Sequence, residues 1–446
     1  MKKKGSIVVL IVFVLILFIS WPLLTNQYDK QNKFYLFVKE LIPQNIKEGV
    51  KNNFLSELRS KYYEIKNNRL IEKKESQGYQ GLLISEKKIK SEDLGNTYLT
   101  KEFFLPFKRL DINLGWKANE NSKRAHYVEI IDENIIALSG LGEIIIFKKN
   151  NLQNKKLDQK IIPNNLVTKI ERLNNEFLGV RDLYYDNLDR HIYITAVIKN
   201  SKGTTLNIFK AKFNKDNLNF KRLFDLNEYH QKYSVQTGGR IENFENDKIL
   251  FSVGTFTNQE KAQDLKSSFG KILSVNKKNG DAKIISFGHR NPQGLAYIPE
   301  KNIILNSEHG PKGGDEINLN KSLKKIKNFG WNVSSYGIEY DGTDPYKKSH
   351  KEFGFVEPFK NFTPSIGISE IIHAAEDSKE NSFLYASSLR AGSIYVFEVD
   401  LQNEKIISED RIYFKNQRIR DLKYDKESQS LIAIFELTPS IALIKL

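Results

Sequence analysis

The chain of 446 residues carries no cysteine, a net charge of +15, and 40% hydrophobic and 11% aromatic residues. The missing cysteines exclude disulfides, thiolate metal sites and cysteine nucleophiles, while the apolar content suffices for a large core. The lysines are scattered through an Asn- and Ile-rich sequence rather than clustered, so the positive balance is not read as a nucleic-acid surface.

Lys2, Lys3 and Lys4 precede an uncharged apolar run from Ser6 to Leu24. At about 1.5 Å per residue such a helix spans a hydrocarbon core of about 30 Å. The run ends in bulky residues, Trp21-Pro22-Leu23-Leu24, rather than at a small-residue cleavage site, which predicts an uncleaved anchor over 1–29. The flanking lysines predict a cytoplasmic N-terminus, with the remainder on the periplasmic or extracellular side of the cytoplasmic membrane as a single-pass protein. Over 30–77, Phe34, Phe37, Val38 and Leu41, then Phe54, Leu55, Leu58, Tyr62 and Ile65, follow helical spacing on either side of Pro43. This predicts a short helical juxtamembrane stalk. The stretch from 78 to about 125 is mixed and is read as an extra strand layer.

From 125 onwards one strand pair recurs six times: 134–138 with 142–147, 191–194 with 206–209, 248–251 with 270–273, 302–305 with 315–318, 382–385 with 392–397, and 431–434 with 441–444. Recurrence of one supersecondary unit predicts an all-β, six-bladed β-propeller over 78–446, with the transmembrane helix and stalk before it. The last strands, near 441–446, are expected to pair with an N-terminal strand and close the ring. Turn signals such as Lys277-Lys278-Asn279-Gly280-Asp281 separate the strands.

The densest run of chemical residues is Gly288-His289-Arg290-Asn291-Pro292-Gln293-Gly294, followed by Ser307-Glu308-His309-Gly310-Pro311-Lys312-Gly313-Gly314-Asp315-Glu316 and by Asn328-Phe329-Gly330-Trp331. With Gly238-Gly239-Arg240, Pro364-Ser365-Ile366 and Arg418-Ile419-Arg420-Asp421, this ordered set resembles the soluble quinoprotein glucose/sorbosone dehydrogenase family, the pyrroloquinoline quinone (PQQ)-dependent aldose sugar dehydrogenases, over about 125–446. The resemblance implies a six-bladed propeller, independently of the repeat count. It implies PQQ binding by Arg290, Asn291, Arg390, Arg418 and Arg420, and forked guanidinium groups suit the three carboxylates of that cofactor. It also implies a calcium ion held through the main-chain carbonyls of Gly310 and Pro311, hard oxygen ligands for a hard cation. Glu308, Asp315 and Glu316 add negative charge there or serve the loop, and His289 and His309 read as structural.

One departure bears on chemistry. The position of the family's general-base histidine is Gln236, with Val235 before it. An amide has no titratable lone pair near neutral pH. Asn174 and Thr363 also stand at altered positions, and His230 is the nearest upstream histidine. The expected function is an exported, membrane-anchored sugar dehydrogenase-like protein taking a small sugar or another polar or anionic ligand. The alternative is a non-catalytic propeller that binds a ligand or protein through the same pocket.

Overall fold

The computed structural model describes residues 81–107, 124–232, 234–321, 323–375 and 382–446. The anchor and stalk expected over 1–77 lie outside the described residues. No helix among the described residues is long and apolar enough to cross a membrane.

Six antiparallel sheets make up the fold. Blade 1 runs through Tyr127–Ile131, Asn134–Leu138, Ile144–Lys148 and Lys160–Ile162; blade 2 through Glu176–Asp186, His191–Asn200, Gly203–Lys212 and Lys221–Asp225. Blade 3 comprises Gly238–Phe244, Lys248–Val253, Lys271–Asn276 and Ala282–Phe287, with Lys327–Asn328 added in parallel at its edge. Blade 4 comprises Pro292–Ile298, Ile303–Glu308, Asp315–Asn320 and Lys360–Phe362; blade 5, Ile368–Ala375, Ser382–Ser388, Ser393–Asp400 and Lys405–Tyr413. Blade 6 takes Ile419–Asp425, Ser430–Phe435 and Ser440–Lys445 from the far end of the chain, then Thr97–Phe104 and Leu83–Lys90 from the near end. Thr97–Phe104 pairs with Ser440–Lys445, Leu99 opposite Lys445, and this closes the ring. Each first strand packs against the first strand of the next blade around the full circle.

The strand pairs read from the sequence are the second and third strands of every blade. Both faces of such a strand are covered by neighbouring blades, so Ile135, Ile136, Ala137 and Leu138 are all fully buried and the sequence reads as a continuous apolar run. A separate apolar cluster fills each of the six junctions between blades. The stretch at 83–104 supplies the two outer strands of blade 6. Its outermost strand carries Lys87, Lys88 and Lys90, charges of the kind that discourage pairing at an exposed edge.

The first strands do not follow the apolar pattern, because their inward residues are polar staples between blades. Glu129 Oε2 accepts from the Tyr185 amide (3.3 Å), Asp182 Oδ2 from Ile241 (2.8 Å), Glu370 Oε1 from Leu295 (3.2 Å) and Asp421 Oδ2 from Val128 (2.8 Å). Ser252 Oγ donates to the Pro292 carbonyl (3.4 Å), Ser307 Oγ to Ser369 (2.5 Å) and Ser369 Oγ to Ile419 (2.5 Å), so all six junctions are bridged. On the axis, Arg240 Nη1 lies 2.9 Å from each of Asp182, Glu370 and Asp421, with every partner nearly fully buried. Its Nη2 donates to the Arg420 carbonyl (2.9 Å) and its Nε to the Gln293 carbonyl (2.6 Å). These three carboxylates are the one grouping among the described residues close enough to hold a metal ion, and the guanidinium occupies their centre.

Candidate functional site

The first strand of each blade leaves one face of the ring and the second returns to it. Loops joining second to third strands, and fourth strands to the next blade, therefore meet on that face, here called the mouth. Gln236, Arg290, Asn291, Gly310, Pro311, Arg390 and Arg418 all fall in such loops, and Arg420 lies just inside the first strand of blade 6.

A local device aims several side chains there. In blades 2 to 6 the pairing of first and second strands slips close to the mouth end. A bulge places extra residues against one partner and redirects side chains. The residues set out by these slips are Leu178 and Arg181 in blade 2, Gly239 and Arg240 in blade 3, Gln293 in blade 4, Ser369 and Glu370 in blade 5, and Arg420 in blade 6.

Arg418, Arg420 and Asn291 belong to one hydrogen-bond network. Arg418 Nε donates to Glu436 Oε2 (2.9 Å) and Arg420 Nε to Glu436 Oε1 (2.6 Å). Burial works against charge on Glu436, but Arg420 and Arg418 outweigh it and hold the carboxyl at about 2. Arg420 Nη1 donates to Gln293 Oε1 (3.0 Å), Gln293 Nε2 to Asn291 Oδ1 (3.1 Å), and the Gly238 amide to the same oxygen (3.1 Å). Arg290 Nη1 donates to the His309 carbonyl (3.1 Å), and its guanidinium lies 5.2 Å from the Trp331 ring centre, within cation–π range. Its Nε is buried with no hydrogen-bond partner. Arg390 is exposed on the same face, its backbone packed against Gly367, which holds a left-handed φ of +65°.

The acidic residues of the 308–316 segment are committed to holding the loop. Asp315 Oδ1 accepts from the Gly310 amide (3.2 Å) and Oδ2 from Gly367 (2.7 Å) and Ile368 (3.0 Å). Glu308 accepts from His289 Nδ1 (3.0 Å), the Arg290 amide (2.6 Å) and Asn318 Nδ2 (2.7 Å). Burial opposes its charge, yet His289 and these donors keep its carboxyl below the usual range. Burial first, and Glu308 next, push Glu316 well up. His309 Nε2 donates to the Ile368 carbonyl (2.5 Å). Near Gly310 and Pro311, oxygen for a cation would therefore come from the main chain; the Pro311 carbonyl also receives Ser365 Oγ at 3.4 Å.

Gln236 is half-buried and tied down. Its Oε1 accepts from Thr255 Oγ1 (3.1 Å) and Gln259 Nε2 (3.2 Å), and Gln259 Oε1 accepts from Trp331 Nε1 (2.7 Å). His230 is held instead against blade 2 by paired backbone bonds with Thr204, and its ring reaches Thr257, not Gln236. Asn174 is exposed, with φ +59°, and follows the short helix Leu166–Glu171, a conformation Asn tolerates at helix ends. Thr363 lies beside Gly313.

Sequence reasoning missed Arg181, Thr237 and Glu436. Arg181 Nε donates to Thr237 Oγ1 (2.6 Å), next to Gln236. The available signal was a charged pair, Arg181-Asp182, inside the apolar run from Phe177 to Tyr185.

Aldose sugar dehydrogenase YliI of Escherichia coli is 31% identical over 204 residues, 42% of this chain and 53% of that protein. Quinoprotein glucose dehydrogenase B of Acinetobacter calcoaceticus is 30% identical over 183 residues, 33% of this chain and 37% of that protein. The chain thus covers under two thirds of the length of either relative. The PQQ-bound aldose sugar dehydrogenase of Streptomyces coelicolor shares the fold, with a TM-score of 0.53 and 17% identity over 72% of this chain and 92% of that one. The glucose/sorbosone dehydrogenase family model matches residues 177–437, more than half of the sequence, and the chain belongs to that family.

Proposed function

We propose that this protein is a PQQ-dependent aldose sugar dehydrogenase-like propeller. In this reading Arg290, Asn291, Arg390, Arg418 and Arg420 hold the cofactor, and the Gly310 and Pro311 carbonyls help to hold a calcium ion beside it. The observation that carries the reading is the chain Arg418–Glu436–Arg420–Gln293–Asn291 beside Arg290, whose buried Nε has no partner. Glu436 offsets one of the two arginine charges it touches, so the cluster keeps a cationic excess suited to a planar polycarboxylate. Bound PQQ supplies a two-electron acceptor for hydride from a sugar C–H bond. The protein's own task is then to orient the sugar and to take the hydroxyl proton.

Gln236 cannot take that proton. One reading is a slow dehydrogenase. The second, favoured by the full engagement of Gln236 Oε1 with Thr255 and Gln259, is a propeller that binds its ligand without turning it over. Titration of the purified protein with PQQ and calcium, followed by quinone absorption, tests the cofactor site; no saturable change sinks it. Gln236→His in the loaded protein separates the two readings. A gain of about 10²–10⁴ in aldose oxidation is expected of a dehydrogenase lacking only its base, and no gain of a binding protein. The run from Ser6 to Leu24 supports an anchored, exported propeller. Protease added to spheroplasts should then remove the propeller, and full protection would overturn that topology.

A further inference from the structure

We propose that Gln293 is a positioning residue for the cofactor site: it holds the Asn291 side chain so that the Asn291 amide nitrogen is presented to the ligand as a hydrogen-bond donor. The proposal rests on the PQQ reading and deepens it.

Every step of this relay has a fixed direction. A guanidinium can only donate, so Arg420 Nη1, 3.0 Å from Gln293 Oε1, settles which end of the Gln293 amide faces blade 6. The nitrogen end then finds two acceptors, Asn291 Oδ1 at 3.1 Å and the Pro292 carbonyl at 3.3 Å. The backbone amide of Gly238, also a donor only, reaches the same Asn291 Oδ1 at 3.1 Å. The Asn291 oxygen is thus engaged twice from within the protein, and Nδ2 is left over. No described residue accepts a hydrogen bond from Nδ2. Unlike the buried Arg290 Nε, this nitrogen is not sealed off from solvent. Reversing the Asn291 amide would set Nδ2 against the Gly238 N–H and Gln293 Nε2, three donors together, so only one orientation satisfies the set.

The backbone around the relay is pinned. The Arg290 carbonyl accepts from the Thr255 amide (2.9 Å), the Asn291 carbonyl from the His309 amide (3.2 Å) and the Gln293 carbonyl from Arg240 Nε (2.6 Å). A Cβ at Gly294 would lie 2.5 Å from both the Ile371 nitrogen and Ser307 Oγ, so blade 5 leaves no slack after Gln293. Gln293 itself is set out by the slip between Pro292 and Gly294. Its main chain is therefore held by the axial arginine and its side chain by a mouth arginine. A charged donor strengthens the first bond of the relay, and that bond orients the rest.

The test is a double-mutant cycle on PQQ affinity, read by quinone absorption in the full protein with calcium present. Gln293→Met removes the relay without adding charge and should weaken binding about threefold to tenfold. Asn291→Ala removes the presented donor and should cost at least as much. The two together should bind no more weakly than Asn291→Ala alone, because Gln293 acts through Asn291. A merely structural role at 293 would weaken binding whatever residue stood at 291. Gln293→Glu is the second variant. It keeps an acceptor for Arg420, so the local contacts survive, yet it sets an oxygen against Asn291 Oδ1 and should turn Nδ2 away from the ligand. Its loss should exceed that of Gln293→Met, and most of it should vanish in the Asn291→Ala background, whereas simple charge repulsion would persist there. Losses that multiply, or Gln293 variants that bind PQQ like the parent, overturn the relay and leave the cofactor reading standing. A parent protein that takes up no quinone overturns the cofactor reading and the relay with it.

Discussion

Two arginine clusters lie near the same axis, and each takes one arginine from a slipped first strand, Arg240 in blade 3 and Arg420 in blade 6. Arg240, from the slip in blade 3, is buried among three carboxylates and two backbone carbonyls. Arg418 and Arg420 share one carboxylate, and the Arg418 side chain is 36% exposed. One shift of register thus yields a closed knot in blade 3 and an open cationic surface in blade 6. The difference lies in how many acceptors neighbouring blades contribute. Where they supply enough, the charge holds the ring together; where they fall short, the remaining positive field is available to a ligand.

The largest expected effect tests the closed cluster. Arg240→Leu leaves Asp182, Glu370 and Asp421 facing one another without the guanidinium between them, with Lys423 the remaining cation acting on them, and should cost about 3–5 kcal/mol. Urea denaturation of the variant measures it, and a loss below about 1 kcal/mol would remove the contrast between the clusters. At the mouth the prediction is reversed. Arg290→Gln should weaken PQQ binding about tenfold to a hundredfold, or about 1.4–2.8 kcal/mol, while the denaturation midpoint barely moves. A variant that loses stability but keeps its quinone affinity would place Arg290 with Arg240.

The smallest effect concerns the far end of the axis. Burial pushes Glu242 up to about 7, with Lys423 pulling the other way. A carboxyl whose folded pKa exceeds its unfolded value stabilises at low pH, and that contribution is lost as pH rises from about 4.5 through about 7. Glu242→Gln keeps the neutral form, so the variant should match the parent near pH 5 and exceed it by about 1–2 kcal/mol near pH 7.5. Taking the difference between the two proteins cancels the buried histidines, such as His126, lowered by burial to about 4, whose contribution runs in the opposite sense. A constant difference from pH 5 to 7.5 would show that the axis does not strain this carboxyl.

The contrast also governs what the sequence discloses. Second and third strands were legible because burial on both faces demands apolar side chains throughout, as in Ile135 to Leu138. First strands were not, because Asp182, Arg240, Glu370 and Asp421 are fully buried yet polar, and their partners come from other blades. The strands at 83–104 lay outside the visible repeat because lysines occupy an outer edge. At the mouth, Arg290, Asn291, Arg418 and Arg420 were carried by an ordered set of motifs. Arg181 was hidden, since its direction follows from a slip of pairing that no local pattern announces. Glu436 was hidden because its meaning depends on two arginines that precede it by one hairpin.

The sixth blade has a consequence for biosynthesis. Its outer strands are made first and its inner strands last; Glu102 and Ser440, 338 residues apart, meet through a 2.7 Å hydrogen bond. Until Ser440–Lys445 has left the ribosome, Thr97–Phe104 lacks its inner neighbour, and the earlier blades form an open arc with an apolar flank uncovered. If the propeller is exported, the arc must cross the membrane as an unclosed chain. Assembly of the ring then belongs to the compartment of arrival, and a chain truncated before the last hairpin would leave that flank exposed to proteases and holdase chaperones there.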